Sequence, residues 1–137
     1  MKKLFLMLFS IALLTSCSDD DDVNAGDEKI LGTWFVAEAN GIPDFELEDC
    51  NRESFIEFNS DNTTYSEYYT QTGEDCTRED TTESVWSVNS GIYNFNLPFD
   101  LDGFENVQGT INFNSDLTEF TFTPTLLPSA SIVFEKR

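Results

Sequence analysis

From residue 29 onward the chain alternates apolar and polar positions in short runs, with clusters of turn-forming residues between them. A period of two residues is typical of strands that bury one face, and no stretch shows the 3.6-residue period of a helix. The runs consist mainly of Phe, Tyr, Val, Ile and Thr, which favour strands. The alternation predicts eight strands, at residues 32–40, 54–59, 63–70, 82–88, 92–97, 106–113, 117–123 and 129–135.

The connections between these strands are short. Asn59-Ser60-Asp61-Asn62, for example, is a turn cluster that predicts a hairpin between the second and third strands. Tight connections of this kind require antiparallel neighbours. Eight strands in residues 29–137 therefore indicate an all-β meander that is either closed into a barrel or folded as a sandwich. Closure would leave no exposed sheet edge.

Alternation also predicts which side chains face the core, because successive side chains of a strand point to opposite faces. Thr118 and Thr121 are expected to point to solvent. Tyr68 and Tyr69 are adjacent, so they are expected on opposite faces, with one of them exposed or at a barrel mouth. The expected core residues are Ile56 and Phe58, Trp86 and Val88, Tyr93, Phe95 and Leu97, Val107, Ile111 and Phe113, Phe120 and Phe122, and Ile132 and Phe134.

Residues 1–16 have the features of a signal peptide. The chain begins with Met and two Lys, and residues 4–14 form an apolar run. The run is shorter than the roughly 20 residues that span a bilayer. The next residues, Leu-Thr-Ser-Cys ending at Cys17, resemble a bacterial lipobox. The resemblance implies cleavage before Cys17 and attachment of lipid to its sulfur and amine, so that the bilayer is a partner held through acylated Cys17. The alternative is an ordinary signal peptide followed by a chance cysteine.

Residues 17–28 are expected to form an acidic tether. Ser18 is followed by four consecutive aspartates, and a block of like charge stays extended. The block resembles the export signal of Bacteroidetes surface lipoproteins. This resemblance implies an outer-membrane lipoprotein exposed on the cell surface, whereas the alternative is a solvated spacer with no such role.

The charge of the chain excludes several functions. It has 7 Lys and Arg against 26 Asp and Glu, a net charge of −19 and no histidine. Nucleic-acid phosphates need basic partners, so no nucleic-acid binding is expected. Without histidine there is no Ser-His-Asp triad, no Cys-His pair and no imidazole metal ligand. The composition therefore predicts no enzyme activity, no metal and no cofactor.

Two cysteines, Cys50 and Cys76, remain once Cys17 carries lipid. In an exported chain a disulfide is the default pairing. It would stabilise the fold by roughly 3–4 kcal/mol on the loop-entropy model. A metal or redox pair is the alternative, but it lacks a CxxC spacing and any further ligand of a suitable type.

A family resemblance begins at Gly32-Thr33-Trp34, which resembles the Gly-x-Trp signature of lipocalin and related calycin barrels. Over residues 30–137 the chain is similar to the lipocalin-like domains of small Bacteroidetes lipoproteins. The resemblance implies an eight-stranded antiparallel up-and-down barrel, with Trp34 closing one end under a basic side chain of the last strand. Lys136 or Arg137 is placed to supply that side chain. Further matching segments are Cys50, residues 58–62, Cys76 and residues 86–89.

The expected function is non-enzymatic binding of a small apolar or amphipathic molecule, since larger members of the resembled family bind such ligands. An eight-stranded barrel can hold one small ligand or be filled by side chains. The rival hypothesis is a protein- or glycan-binding module with a filled interior, and no particular protein partner is indicated. An internal void of about 300 Å³ or more would favour the small ligand. The candidate ligand-contacting residues are Trp86, Tyr68, Tyr69, Phe58 and Phe95.

Overall fold

The computed structural model of the protein describes residues 27–99 and 106–137. The predicted signal peptide, the predicted lipidation site Cys17 and the tether up to residue 26 lie outside these residues. The domain boundaries predicted from the sequence therefore stay predictions.

The described residues form one antiparallel sheet that curls into a half-barrel. Its strands occur in the order β4-β3-β2-β1-β9-β8-β7-β6-β5, so every neighbour in space except β1–β9 is also a neighbour along the chain. This up-and-down order agrees with the predicted lipocalin-like fold class. The strands are β1 Gly32–Asn40, β2 Phe55–Phe58, β3 Thr63–Thr72, β4 Asp75–Val85, β5 Ser87–Asn89, β6 Ile92–Phe95, β7 Val107–Phe113, β8 Glu119–Pro124 and β9 Ser131–Glu135.

The described residues contain nine strands, so the predicted number of eight is wrong. The predicted fourth strand, residues 82–88, is divided at Trp86, whose backbone N–H donates to Asn62 O at 2.9 Å. The part before Trp86 pairs with β3 and the part after it pairs with β6. Residues 75–81 of β4 are missing from the prediction because all of them are exposed and carry no apolar alternation.

Two short helices also occur where the alternation indicates none. An α-helix, α1, spans Asp27–Ile30, and a 3₁₀ helix spans Cys50–Glu53. Each is about one turn long, and a single turn cannot display a 3.6-residue period in the sequence. The helix α1 also overlaps the end of the predicted tether, residues 17–28.

The core lies on the inner face of the curled sheet and is built largely of aromatic rings. Phe120 contacts Trp34 and Phe134 with centroid distances of 4.7 and 4.9 Å. Gly109 lets Phe122 pack across β7, because a Cβ at this position would clash with that ring. The predicted inward residues that are buried are Ile56, Phe58, Trp86, Tyr93, Phe95, Leu97, Val107, Phe120, Phe122, Ile132 and Phe134, while Val88, Ile111 and Phe113 are half-buried.

Trp34 closes one end of the sheet. Its Nε1 donates to Ile30 O at 2.6 Å, which fastens α1 beneath β1. The Lys136 ammonium lies 4.5 Å from the Trp34 ring centroid, so Lys136 rather than Arg137 covers the ring. Gly32 has a φ of 108°, a conformation that side chains other than glycine rarely adopt. This backbone requirement explains the glycine of the Gly-x-Trp pattern.

Candidate functional site

The connection from β1 to β2 forms one wall of the candidate site and is fastened to β3 by a buried asparagine. Asn51 Nδ2 donates to Tyr69 O at 3.0 Å and to the Tyr68 hydroxyl at 3.4 Å. Asn51 Oδ1 accepts from the Glu48 backbone N–H at 2.7 Å. Ser54 Oγ, also buried, accepts from the Tyr69 backbone N–H at 2.9 Å. These bonds hold the connection against β3.

The disulfide predicted between Cys50 and Cys76 is confirmed, with a Cα–Cα distance of 5.2 Å. It joins the 3₁₀ helix to the second residue of β4. Cys76 lies beside Gly73, at the turn end of the β3–β4 hairpin. The disulfide therefore ties the β1–β2 connection to the far end of this hairpin.

A cleft of about 740 Å³ lies between the β1–β2 connection and β3. It is at the end of the sheet opposite Trp34, because β3 starts beside the beginning of β1 and runs toward its end. Phe45 stacks on Phe99 with a centroid distance of 4.8 Å, which makes one wall aromatic. The lining residues are Ile42, Asp44, Phe45, Glu46, Glu48, Asn51, Tyr68 and Thr70.

The described lining of the cleft is acidic on its rim and hydrogen-bonding inside. Asp44, Glu46 and Glu48 are exposed, and no described lining residue is basic. Burial, and after it the carboxylates of Glu79 and Glu48, raise the pKa of Tyr68 above its ordinary value. The Tyr68 hydroxyl is therefore neutral at physiological pH. Because its oxygen accepts from Asn51, its proton remains for donation to a ligand.

The five candidate ligand-contacting residues are in three different places. Phe58, Phe95 and Trp86 lie in the core, where Phe58 contacts Phe95 at 5.2 Å and Trp86 at 5.8 Å. The rings of these three residues occupy the interior where the sequence predicts a ligand. Tyr68 lines the cleft. Tyr69 lies on the opposite, outer face of β3, as its adjacency to Tyr68 predicts.

The outer face of β3 carries a carboxylate cluster that was not predicted. Glu67 Oε1 accepts from the Tyr65 hydroxyl at 2.6 Å and from Arg78 at 3.0 Å, and Oε2 accepts from the Tyr69 hydroxyl at 2.7 Å. The bond from Tyr65, followed by that from Tyr69, lowers the pKa of Glu67, and the bonds to Glu67 raise the pKa of both tyrosines. The Tyr-x-Glu-x-Tyr alternation at positions 65, 67 and 69 is the signal that could have predicted this cluster.

In residues 27–99 and 106–137, no three side chains of the Cys, Asp or Glu type converge as a metal ion would need. The part of the chain that the structure describes also contains no helix that is both long and apolar enough to cross a bilayer.

Comparison with known proteins gives one family. No curated protein matches the chain. A model of the lipocalin-like domain matches residues 30–123, which run from the end of α1 into β8 and make up more than half of the chain. The matched segment contains both the Trp34 end and the cleft. The protein therefore belongs to the lipocalin-like domain family.

Proposed function

We propose that the protein is a surface-exposed lipoprotein that binds a small amphipathic molecule, without enzyme activity, in the cleft beside β3. The observation that carries the proposal is the cleft itself. Its volume of about 740 Å³ lies within the roughly 300–1,000 Å³ of small-molecule sites. Ile42 and Phe45 supply the apolar part of the lining, and Asn51 and Tyr68 supply fixed polar groups. Most of the lining is polar, which favours an amphipathic ligand over a purely apolar one.

The filled core favours a ligand site in the cleft, at the end of the sheet opposite Trp34, over a site deep in the interior. Phe58, Phe95 and Phe122 form a continuous row of ring contacts, with centroid distances of 5.2 and 4.8 Å. All three rings are almost fully buried. A ligand in their place would have to displace well-packed rings, at a cost of several kcal/mol. The cleft requires no such displacement.

The charge of the cleft selects the polar end of the ligand. Asp44, Glu46 and Glu48 repel an anionic headgroup and attract a cationic one. Exposed carboxylates contribute less than about 1 kcal/mol each. Two or three of them together are worth about a tenfold difference in affinity between a cation and an anion. The expected ligand is therefore an amphipathic molecule with a cationic end.

Titration calorimetry with two probes of equal chain length tests the proposal. Decyltrimethylammonium is expected to bind the wild-type domain about tenfold more tightly than decanoate, both below their micelle concentrations. Phe45→Ala should weaken the binding of the cation, since it removes the aromatic wall. Phe35→Ala, a half-buried phenylalanine on the outer face, is the matched control. Equal affinity for both probes, or equal losses in both variants, would contradict the proposal.

The membrane anchor is tested separately in cells. We expect Cys17 to incorporate a clickable palmitate and the Cys17→Ala variant to lose the label. Protease added to intact cells should then degrade the wild-type protein if the domain is on the surface. Unlabelled wild-type protein in the soluble fraction would refute the anchor and leave the cleft untouched.

A further inference from the structure

A second pocket lies on the outer face of the sheet, away from the cleft. Asn94 on β6 is paired with Gln108 on β7, and their neighbours in each strand face the core. Beyond β8, the Thr125 backbone N–H donates to Gln108 O at 2.7 Å, which keeps this segment beside β7. The three residues therefore form a row across β6, β7 and the segment that follows β8, spaced by about 4.8 Å from one segment to the next.

This row forms the floor of a pocket of about 310 Å³. Leu126, which is 77% exposed, forms part of its rim. The described lining residues are Asn94, Asn106, Val107, Gln108, Thr125 and Leu126.

The described lining is uncharged, although the chain carries 26 acidic residues. Three carboxamides and one hydroxyl provide donors and acceptors, and Leu126 provides aliphatic surface. The pocket therefore differs in chemistry from the acidic cleft beside β3. Neither a strong cation nor an anion finds an ionic partner among these side chains.

One polar atom of the pocket has an unmet hydrogen-bonding requirement. Asn94 Oδ1 is buried, and it accepts no hydrogen bond from the described residues. A buried acceptor without a donor is destabilising, so such atoms are rare in folded proteins. Asn94 lines the pocket, and rotation of its carboxamide about χ2 would turn the acceptor toward a bound molecule. A hydroxyl group of that molecule would supply the missing donor.

We infer that this outer pocket binds a neutral sugar ring. Vicinal hydroxyls of a pyranose can each donate to one carboxamide oxygen and accept from a carboxamide N–H, which matches the Asn94–Gln108 pair. The C–H face of the ring can pack on Leu126. The volume is at the lower end of the range for small-molecule sites, so the pocket accommodates one ring, either a free sugar or the terminal residue of a glycan.

Ligand-observed NMR and calorimetry with D-glucose, D-galactose, D-mannose and N-acetylglucosamine test the inference on the mature domain. At least one of these sugars should bind saturably, and glucuronate and glucosamine should bind at least tenfold more weakly. A neutral oligosaccharide that binds no more tightly than its monomer indicates a free sugar as the ligand. One that binds tenfold more tightly indicates a glycan. Tetra-alanine serves as a neutral peptide probe. The inference would be overturned if tetra-alanine binds and no sugar does, or if no sugar binds saturably up to about 100 mM.

Variants show whether the sugar binds in this pocket. Asn94→Leu should abolish the sugar signal and leave the protein folded, because it removes the unpaired acceptor and keeps a similar volume. Asn112→Leu, on the outer face of β7 but outside the pocket, is the matched control. Leu126→Ala, at an exposed position, should weaken binding several-fold even if Asn94→Leu does not fold. Equal binding by Leu126→Ala, Asn94→Leu and the control would place the sugar elsewhere and overturn the inference.

The two proposals, the cleft for a cationic amphiphile and the outer pocket for a sugar, can be tested independently. Phe45→Ala should leave sugar binding unchanged, and Asn94→Leu should leave decyltrimethylammonium binding unchanged. Loss of both activities in both variants would indicate a single site and contradict the inference.

Discussion

The inner face of the curled sheet has two contrasting halves. On one half, formed by β1, β2 and β6 to β9, the inward side chains are aromatic or aliphatic except at Gly109, and Phe120 by itself contacts three rings, those of Trp34, Phe113 and Phe134. On the other half, the β3–β4 hairpin, the inward side chains toward the Trp34 end are hydroxyl residues. These are Thr64, Ser66, Thr82 and Ser84.

Different interactions stabilise the two halves of the sheet. Each buried aromatic side chain contributes about 1.5–3 kcal/mol through removal of apolar surface from water. The hydroxyl half has less of this contribution, with Tyr68 as its one inward aromatic ring among the described residues. The Cys50–Cys76 disulfide and hydrogen bonds from Asn51 and to Ser54 fasten it as well. Because Asp44, Glu46 and Glu48 of the cleft lining are exposed, these positions can vary without repacking of the aromatic core. The difference indicates a division between a half that defines the fold and a half that carries the site.

The largest effect is expected from Phe120→Ala in the aromatic half. It removes three ring contacts at a fully buried position and should lower the free energy of unfolding by about 3–5 kcal/mol. Thr64→Ala, at an equally buried inward position of the hydroxyl half, should cost only about 1 kcal/mol. Urea unfolding followed by circular dichroism measures both. Similar losses in the two variants would show that the halves do not differ in the way their packing indicates.

The second effect concerns the disulfide. The double variant Cys50→Ala, Cys76→Ala should lose roughly 3–4 kcal/mol of stability, because the bridge joins two residues that are 26 positions apart in the chain. Hydrogen exchange should speed up in the β1–β2 connection and at the turn of the β3–β4 hairpin, while β8 and β9 keep their protection.

Reduction of the wild-type protein with dithiothreitol is the control for the substituted side chains, and it should reproduce the same pattern. A uniform rise in exchange over the whole sheet would mean that the bridge supports both halves equally.

The contrast between the halves also explains what could be predicted from the sequence. In the aromatic half, pairs such as Ile56 and Phe58 or Phe120 and Phe122 alternate with polar residues, so both strand and buried face were predictable. In the hairpin, residues 75–81 are all exposed and have no alternation of apolar and polar positions, although they pair with β3 along their whole length. A strand without a buried face leaves no periodic signal.

The site itself was only partly predictable. The pairing of Cys50 with Cys76 is confirmed, and it was predictable because assigning Cys17 to lipid leaves two thiols with one possible connectivity. Tyr68 was selected as a candidate contact, and it does line the cleft. The position of the cleft was not predicted, because residues 41–49 form an irregular connection. Asn51 acts through Tyr68 and Tyr69, which follow it by 17 and 18 positions, and no local sequence pattern reveals contacts at that distance.

The smallest effect is expected on the outer face of the hairpin, at Glu67. Its pKa in the folded protein is lowered, first by the bond from Tyr65 and then by those from Tyr69 and Arg78. A carboxylate whose folded pKa lies below its unfolded value stabilises the fold above that unfolded value, about 4.3. The contribution is lost as the pH falls through the lower, folded pKa. The free energy of unfolding should therefore start to decline as the pH falls toward that unfolded value, and keep declining until the pH is below the folded pKa of Glu67.

Glu67→Gln should reduce the slope of that decline, since glutamine does not titrate. Glu57→Gln changes a carboxylate on the same face, opposite Tyr65 on β2, and serves as the control. Chemical unfolding at half-unit pH intervals gives the slope for each variant. If Glu57→Gln flattens the curve as much as Glu67→Gln does, the acid sensitivity belongs to the general negative charge of the domain. If only Glu67→Gln flattens it, hydrogen bonds to one carboxylate help to hold the hairpin half, which buries fewer aromatic rings than the other half.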